Sequence, residues 1–363
     1  INGTNILIAG NFTIAGSLNR RAIAEVSSTV GNATAFNLGL TSGQVYALKV
    51  VGNTLYAGGL FTITTSQQNN LLKANLTNST ITQWDANTNG QVSVIESSGN
   101  TVYIGGSMTG ILKRRVRLAA IDMLSDTLLP WAPEASSQVN ALVTNGNTVY
   151  AGGAFSQMSG EVRGRLAAID GVSGAVTPWI ANASGTVSAL ALQGTVLYAG
   201  GSFTSINSTL RTNLAQISTI NGAVGLLDLE LNGSVNAILL SLGNIYVGGA
   251  FTSSGTNVRN RIASANLLSG NLTLWNPNAD GVVNTLAVKD NNIYAGGAFT
   301  NIGGQLRPRL AALEGTTGSA TAWTPYPNQA VNSMVIDANK MYVAGLFTNI
   351  GGQTQDYLSA RDI

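Results

Sequence analysis

Tyr294-Ala-Gly-Gly-Ala-Phe-Thr300 is the stretch that decides the fold, because the chain of 363 residues repeats it. A weaker copy, Leu7-Ile-Ala-Gly-Asn-Phe-Thr13, lies near the first residue. From Tyr150 onward the copies are 48 residues apart. A fixed period of this size indicates one supersecondary unit stacked on copies of itself. The other copies begin at Tyr56, Tyr103, Tyr150, Tyr198, Tyr246 and Tyr342.

The repeat that contains this stretch reads as four short β-strands. Val283-Asn-Thr-Leu-Ala-Val288 is rich in β-formers and alternates, which predicts a strand. Asp and Asn after it, and Thr-Gly further on, are typical of tight turns. No stretch has a period of 3.6 residues, so we expect almost no helix. The four predicted strands are Val283–Val288, Ile293–Gly297, Arg309–Glu314 and Ala320–Trp323, with a loop at 301–305.

Four antiparallel strands per repeat predict an all-β β-propeller, with a solenoid as the less favoured arrangement. The second and third strands recur eight times, whereas the first and fourth recur seven times. We expect eight blades of about 48 residues, with seven blades as the alternative. Residues 1–363 are then one propeller domain, expected to be a segment of a longer chain. The unmatched strands are completed by further chain or by strand addition from another copy.

Composition excludes several classes of function. The chain has neither Cys nor His, so a disulfide framework, a thiol nucleophile and a His-dependent catalytic triad are excluded. Only 9% of residues are charged and the net charge is +2, which does not favour nucleic acid as a partner. No apolar run reaches the length of a membrane helix, so no membrane insertion is predicted. The neutral Ser, Thr and Asn content favours a secreted or cell-surface protein.

Three segments of one repeat resemble a known family. They are Asn276-Pro-Asn-Ala-Asp-Gly281, Tyr294-Ala-Gly-Gly-Ala-Phe-Thr300 and Arg307-Pro-Arg-Leu-Ala-Ala312, which resemble bacterial delta-60 repeats. Thr317-Gly-Ser-Ala-Thr-Ala-Trp323 is also similar to quinoprotein-dehydrogenase-type propellers, and fungal Rax-type landmark proteins carry similar repeats. The resemblance implies a propeller fold in a large secreted or surface protein. Quinoprotein chemistry implies a vicinal Cys pair, which this chain lacks, so no cofactor is predicted.

Several residue types recur at fixed places in the repeat. Six arginines stand in one column, and their two readings are a cationic ring that binds an acidic polymer or a packing role. We favour packing, because a guanidinium can donate to loop carbonyls and stack on a tryptophan in every blade. A second arginine column follows two residues later, at Arg165, Arg261 and Arg309, with Arg21 and Arg117 near its edge. The residues predicted to be structural are Tyr150, Tyr198, Tyr246, Tyr294, Gly152, Gly153, Trp179, Trp275, Trp323, Arg115, Arg163, Arg211, Arg259 and Arg307, with Arg20 in the matching slot.

The other candidate site residues are acidic residues and the aromatic residues that lie outside the repeat pattern. Asp122, Asp170 and Glu314 end predicted strands before turns, where a carboxylate accepts from backbone amides. We therefore predict no catalytic residue and no metal site. Tyr326 and Tyr357 depart from the repeat pattern and are the candidate ligand-contact residues.

The sequence favours a non-catalytic extracellular module with a structural or adhesive role. Its expected partner is a protein or a glycan at the cell surface. The alternatives are a lectin-like propeller that binds glycans, and a filament subunit that self-associates through blade edges. None of the residue patterns above selects a particular ligand.

Overall fold

The computed structural model describes residues 5–15, 18–27, 32–63, 69–82, 88–110, 115–337, 340–354 and 358–363. Its chain divides into two compact units, Ile1–Ile180 and Ala181–Ile363, which are described separately below. All regular structure in the described residues is β-strand. This confirms the predicted all-β class. Blade number, ring closure and the single domain over 1–363 remain predictions.

The first unit contains four antiparallel sheets of the repeat and two small hairpins. Its sheets are β1-β4, β5-β6-β7, β8-β9-β10 and β11-β12-β15, and its hairpins are β2-β3 and β13-β14. The strand bounds are β1 Asn5–Ala9, β2 Ile14–Ala15, β3 Leu18–Asn19, β4 Ile23–Ser27, β5 Leu40–Val51, β6 Thr54–Ile63, β7 Leu71–Asn75, β8 Val92–Ser98, β9 Thr101–Gly106, β10 Leu118–Asp122, β11 Val139–Asn145, β12 Thr148–Gly153, β13 Gln157–Met158, β14 Glu161–Val162 and β15 Leu166–Asp170.

The second unit repeats one pattern four times, a three-stranded antiparallel sheet with a small hairpin. Its sheets are β16-β17-β20, β21-β22-β25, β26-β27-β30 and β31-β32-β35, and its hairpins are β18-β19, β23-β24, β28-β29 and β33-β34. The strand bounds are β16 Thr186–Gln193, β17 Val196–Ser202, β18 Ser205–Ile206, β19 Thr209–Leu210, β20 Leu214–Ser218, β21 Val235–Ser241, β22 Asn244–Gly249, β23 Ser253–Ser254, β24 Asn257–Val258, β25 Ile262–Asn266, β26 Val283–Lys289, β27 Asn292–Gly297, β28 Asn301–Ile302, β29 Gln305–Leu306, β30 Leu310–Glu314, β31 Val331–Asp337, β32 Lys340–Gly345, β33 Asn349–Ile350, β34 Gln353–Thr354 and β35 Leu358–Asp362.

The opening motif supplies the central strand of each three-stranded sheet. Tyr294 lies in β27, opposite Ala287 of β26 on one side and Ala312 of β30 on the other. The bounds of the first three predicted strands of this repeat agree with β26, β27 and β30 to within one residue. Both faces of β27 are buried, and Ile293, Tyr294 and Ala295 are enclosed. The motif therefore recurs because every repeat needs a central strand that packs on both faces.

The predicted fourth strand is reduced to a single bridge. Ala320 pairs with Leu313, and the chain then leaves the sheet. Just beyond the bridge, Arg307 Nη2 donates to the carbonyl of Thr321 at 2.6 Å. A guanidinium thus takes the place of a strand as the partner of this outer carbonyl. In the six repeats from β5-β6-β7 to β26-β27-β30, the described residues form three strands and one bridged segment, which is four-strand-like.

The predicted loop at 301–305 forms the hairpin β28-β29, whose two strands have two residues each. Its turn is Gly303-Gly304, and both glycines have positive φ angles, of 63° and 76°. Left-handed backbone at two consecutive positions favours glycine and closes a tight hairpin. The hairpin stands beside the loop that enters its own repeat, because the Gly303 amide donates to the Pro277 carbonyl.

The paired glycines are explained by a β-bulge in the neighbouring strand. The register between β26 and β27 shifts between Val283 and Thr285, opposite Gly296 and Gly297. A β-carbon on Gly297 would overlap the carbonyl oxygen of Val282 and lie 3.0 Å from the Val283 Cα. Glycine is therefore required by close backbone approach, as the sequence predicted for a bulge.

Each core cluster is built where one repeat packs on the next. One cluster joins Tyr246 and Ile262 of one repeat to Val283, Ile293 and Phe299 of the following repeat. All five side chains are almost fully enclosed. A repeat thus buries its apolar face only against a neighbour, which is the energetic basis of a repeat array.

Candidate functional site

The first arginine column binds backbone carbonyls inside its own repeat. Arg259 Nη2 donates to the Thr273 carbonyl at 2.9 Å, and Nη1 donates to the Val258 carbonyl at 2.9 Å. Burial lowers the pKa of Arg259. The column joins the small hairpin to the bridged segment 14 residues further on. The same Nη2 contact is made by Arg20 to Thr34, Arg115 to Leu129, Arg163 to Thr177, Arg211 to Gly225 and Arg307 to Thr321.

The second column is a left-handed backbone position at the start of the third strand. Arg165, Arg261 and Arg309 have φ angles of 64°, 64° and 61°. Arg117 also lies in this column, with φ 66°, and not merely near its edge. In the first repeat the position is held by Ala22, φ 60°, and not by Arg21. The slot is therefore set by backbone geometry, and arginine is one of several residues that occupy it.

The recurrent tyrosines and tryptophans pack on each other. The rings of Tyr150 and Trp179 meet edge to face with centroids 5.3 Å apart. The same geometry joins Tyr103 to Trp131, Tyr246 to Trp275 and Tyr294 to Trp323. Trp275 Nε1 also donates to the Glu314 carbonyl of the next repeat at 2.9 Å. These aromatics hold repeats together, so they are not free platforms for a ligand.

Acidic residues at the ends of third strands cap turns. Asp170 Oδ1 accepts from the backbone amides of Val172 and Ser173, at 3.1 and 2.7 Å, and from the Ser173 hydroxyl at 2.7 Å. These hydrogen bonds, led by the Ser173 amide, lower the pKa of Asp170. Asp122 is held in the same way by Ser125, which lowers its pKa too. Such carboxylates are held ionised and are unsuited to proton transfer near neutral pH.

A second capping position was not recognised in the sequence. Asp280 Oδ1 accepts from the backbone amides of Thr300 and Asn301 at 2.6 and 2.9 Å, which pins the start of the hairpin. A comparison of residues 48 positions apart reveals this capping position, because every residue that occupies it has a short side chain with an acceptor oxygen. The equivalent residues are Asn89, Ser136, Ser184, Asn232 and Asn328.

A variable residue on a left-handed backbone that three consecutive repeats share is the best candidate recognition position. Glu230, Asn278 and Tyr326 are each 48 residues apart and have φ angles of 44°, 56° and 46°. For Glu and Tyr this left-handed conformation is rare and stores strain, which is most common at functional sites. We call the three residues the loop position. It lies in the segment that leads from the bridged strand into the next repeat.

The small hairpin docks beside the loop position. The turn amide of Gly255 donates to the Glu230 carbonyl at 3.1 Å. One residue earlier in the loop, the Pro277 carbonyl accepts from Gly303 and the Pro325 carbonyl accepts from Gly351, both at 2.6 Å. A side chain at the loop position is therefore presented on a braced backbone next to a cleft.

The sequence-predicted ligand residues divide between this position and the undescribed part of the chain. Tyr326 is in the loop position, between Pro325 and Pro327, and 41% of its surface is exposed. Exposure and rigidity are what an aromatic platform for a ligand needs. Tyr357 lies outside the described residues, as does Trp84. Trp84 belongs to the tryptophan column, which is the recurrent position of the fourth predicted strand that also holds Trp131, Trp179, Trp275 and Trp323.

Aliphatic side chains are exposed at a matching place in four repeats. Each of them directly precedes a column arginine. The Nη1 of that arginine donates to the backbone carbonyl of the aliphatic residue. More than half of the surface of each of these residues is exposed. The four residues are Val162, Leu210, Val258 and Leu306. Sequence reasoning missed them, although their 48-residue spacing was visible.

Within the described ranges, no three acidic residues are grouped so that they could hold a metal ion. Nor does any segment there form a helix long and apolar enough to cross a membrane. The predictions that the chain needs no metal and inserts in no membrane stay predictions.

Comparison with known proteins supports a β-propeller repeat. Residues 289–314, which include β27 to β30, match the DUF5122 β-propeller domain of unknown function. The match lies on the second and third strands of one repeat, where the opening motif stands. No curated protein matches the chain.

Two solved structures show the likeness of fold. The computationally designed Ika8 protein is 15% identical, with a TM-score of 0.61, and the alignment covers 89% of this chain and 98% of that one. A chain of the Mitotic Checkpoint Complex is 14% identical, with a TM-score of 0.57, and 86% of each chain is covered. At these identities the similarity concerns the fold alone.

Proposed function

We propose that this chain is a non-catalytic propeller module of a secreted or cell-surface protein, with a structural or adhesive role. The observation that carries the proposal is the use of the repeated arginines. Arg163, Arg259 and their equivalents donate to carbonyls of their own repeat. Arginine recurs at this position in six repeats, and its charge is thereby used to hold the scaffold together.

The surface that remains supports adhesion to a protein partner. Leu210, Val258 and Leu306 project from equivalent hairpins of the second unit, each anchored by an arginine. We propose these recurrent exposed aliphatic side chains as the contact with the partner. The delta-60 resemblance of the repeats supports the same assignment, because such repeats are expected in large surface proteins.

An adhesion assay tests the proposal. Surfaces are coated with the folded chain or with the heat-unfolded chain, and attached cells of the source organism are counted. We expect attachment to the folded chain only, and a reduction when Leu210 and Val258 are both replaced by Asp. Hydrolase, lyase or dehydrogenase turnover by the purified chain would instead make it an enzyme and end the proposal.

Glycan binding is the second candidate function, and Tyr326 favours it. An exposed tyrosine between two prolines, on a left-handed backbone, gives a sugar a rigid face to stack on. Tyr326→Ala should then lower retention on a glycan array. Retention that does not change would remove Tyr326 from the candidate site.

Self-association through blade edges is a further proposal from the sequence. Size measurement at several concentrations decides it, because strand addition between copies predicts a mass that rises with concentration. A mass that stays that of one chain over the whole range would exclude it.

A further inference from the structure

A cavity of about 280 Å³ lies in the second unit beside the loop position at Glu230. Its walls are the loop 228–230, the hairpin turn 254–257 and the turn 270–272 of the following strand. The volume is just below the roughly 300–1,000 Å³ of pockets that enclose drug-sized ligands. The cavity therefore has the size for a small polar molecule or one residue of a larger one.

The cavity is present in this repeat because it lacks two packing contacts that are made at the equivalent place in the next repeat. In the next repeat, a β-carbon on Gly303 would lie 2.8 Å from the Ala320 side chain, so hairpin and turn are in direct contact. At the equivalent Gly255, the only heavy atoms within 4 Å of a β-carbon belong to the Glu230 carboxylate. The space is thus closed on one side by a single acidic side chain.

On the opposite side of the cavity, the turn at Gly270 also lies further from the loop than the equivalent turn does in the next repeat. A β-carbon on Gly318 would lie 3.2 Å from Pro277, whereas on Gly270 the nearest atom is the Leu227 Cα at 3.5 Å. Leu227 interrupts the tryptophan column in this repeat. The cleft is wider where the column is broken.

The polar residues that line the cavity are two carboxylates and several neutral side chains. Asp228 is already engaged, because Oδ2 accepts from Arg211 Nη1 at 3.0 Å and Oδ1 accepts from the Glu230 amide at 3.2 Å. Glu230 adds a carboxylate whose oxygen faces the Gly255 turn. Thr256, Asn257 and Asn271 also line the cavity. Their side chains carry a hydroxyl and two amides, which can both donate and accept.

We propose that this cavity binds a single sugar residue, such as the terminal residue of a glycan. A pyranose offers several hydroxyls that act as donor and acceptor together, which the carboxylate and the two amides can satisfy. Its C–H face would rest on Leu272, the partly buried apolar residue of the lining. A cationic side chain would use only the carboxylates and leave the amide donors without acceptors. The sugar is therefore the better match.

The site goes beyond the proposed function. The cavity shares the β23-β24 hairpin with Val258, but its lining includes neither Val258 nor Leu210. Sugar binding and adhesion are therefore scored with different variants, Asn257→Trp and Glu230→Gln for the sugar, and Asp at positions 210 and 258 for adhesion. A negative sugar titration and a negative adhesion assay are separate results.

Saturation-transfer NMR with the full chain tests the proposal. The probes are methyl α-D-mannopyranoside, methyl β-D-galactopyranoside and methyl N-acetyl-β-D-glucosaminide at millimolar concentration, with N-acetylarginine amide as the cationic probe. The variants are Glu230→Gln, which removes the charge, and Asn257→Trp, which fills the cavity. Matched controls are Glu134→Gln and Gln305→Trp, which make the same changes at the equivalent positions of other repeats. Thermal melting establishes that each variant is folded.

We expect transfer to at least one glycoside, a dissociation constant raised at least about tenfold by Glu230→Gln, and no transfer with Asn257→Trp. Both controls should bind as the original chain does. The proposal is wrong if no glycoside receives transfer, or if both cavity variants bind as the controls do. Transfer to N-acetylarginine amide alone, lost in Glu230→Gln, would overturn it in favour of a cation site.

Discussion

Gln216 turns its side-chain oxygen to the backbone amide of Leu227, at 3.2 Å. Leu227 occupies the place of the column tryptophan, and Gln216 faces Tyr198 across the sheet. In the repeats of Trp131, Trp179 and Trp323 the position of Gln216 is alanine. The long amide therefore fills the space of the missing indole, and the two departures from the repeat are one packing solution.

The pair should be coupled in stability. Gln216→Ala leaves a cavity and removes the acceptor of the Leu227 amide, and we expect a loss of about 2–3 kcal/mol in the free energy of unfolding. Leu227→Trp alone overpacks the site by about 1–3 kcal/mol. The double variant restores the arrangement of the other repeats, so its loss should be smaller than either single loss. Urea unfolding of the four proteins measures the coupling, and strict additivity would contradict the interpretation.

The arginine column should act on stability and not on ligand capture. Arg259→Gln removes the donors to Thr273 and Val258, and we expect a loss of about 2–3 kcal/mol. Arg259→Lys should recover only part of it, because an ammonium cannot reproduce the fork of the guanidinium. Binding of an anionic polysaccharide is measured on the same proteins. Binding lost without a change in unfolding would support the cationic ring instead.

Asp280 should make unfolding depend on pH. Burial raises its pKa, but the hydrogen bonds from Asn301 and Thr300 outweigh that effect, and the pKa is lowered overall. A lowered folded-state pKa gives stability that is present above the unfolded value and is lost as pH falls through the folded value, hence from about pH 4 downward.

Asp280→Asn is the matched test of this pH dependence, because Asn232 and Asn328 already cap the same hairpin amides. We expect little change in the free energy of unfolding at pH 7 and a shallower loss below pH 4. Urea unfolding between pH 2.5 and 7 measures both. Curves for the variant and the original chain that stay parallel would exclude a contribution from the Asp280 carboxylate.

Two glycines of one repeat should respond very differently to alanine. A β-carbon on Gly153 would overlap the Gln138 carbonyl oxygen, so Gly153→Ala should cost about 3 kcal/mol or more. Gly146 has φ 57° and open space around it, so Gly146→Ala should cost only about 1–2 kcal/mol of backbone strain. Thermal melting compares them directly. Equal losses would show that the bulge does not depend on the absence of a side chain.

The sequence predicted local structure well where one residue type has one physical role. Glycine pairs, turn-forming Asn and the alternating strands gave element bounds within a residue in the repeat of Tyr294. The fourth strand was predicted too long, because propensity at Ala320–Trp323 does not show that Arg307 takes the outer carbonyl. That contact joins residues 14 positions apart and follows from tertiary structure.

The candidate site was reached only in part from the sequence. Tyr326 stood out because it departs from the pattern, but Glu230 was not singled out, since an isolated Glu in a loop carries no signal. What marks it is its left-handed backbone, shared with Asn278 and Tyr326, and the cavity beside it. Whether the repeats close as a ring is set by packing that neither period nor composition specifies.

The loop position has a consequence for how such proteins change over evolutionary time. Its strained backbone is the same for Glu230, Asn278 and Tyr326, although an acid, an amide and a phenol stand there. A point mutation can therefore alter what one repeat recognises without a new fold having to arise. Duplication of a repeat would add another loop position with this backbone, and single substitutions at that position could adapt it to another ligand.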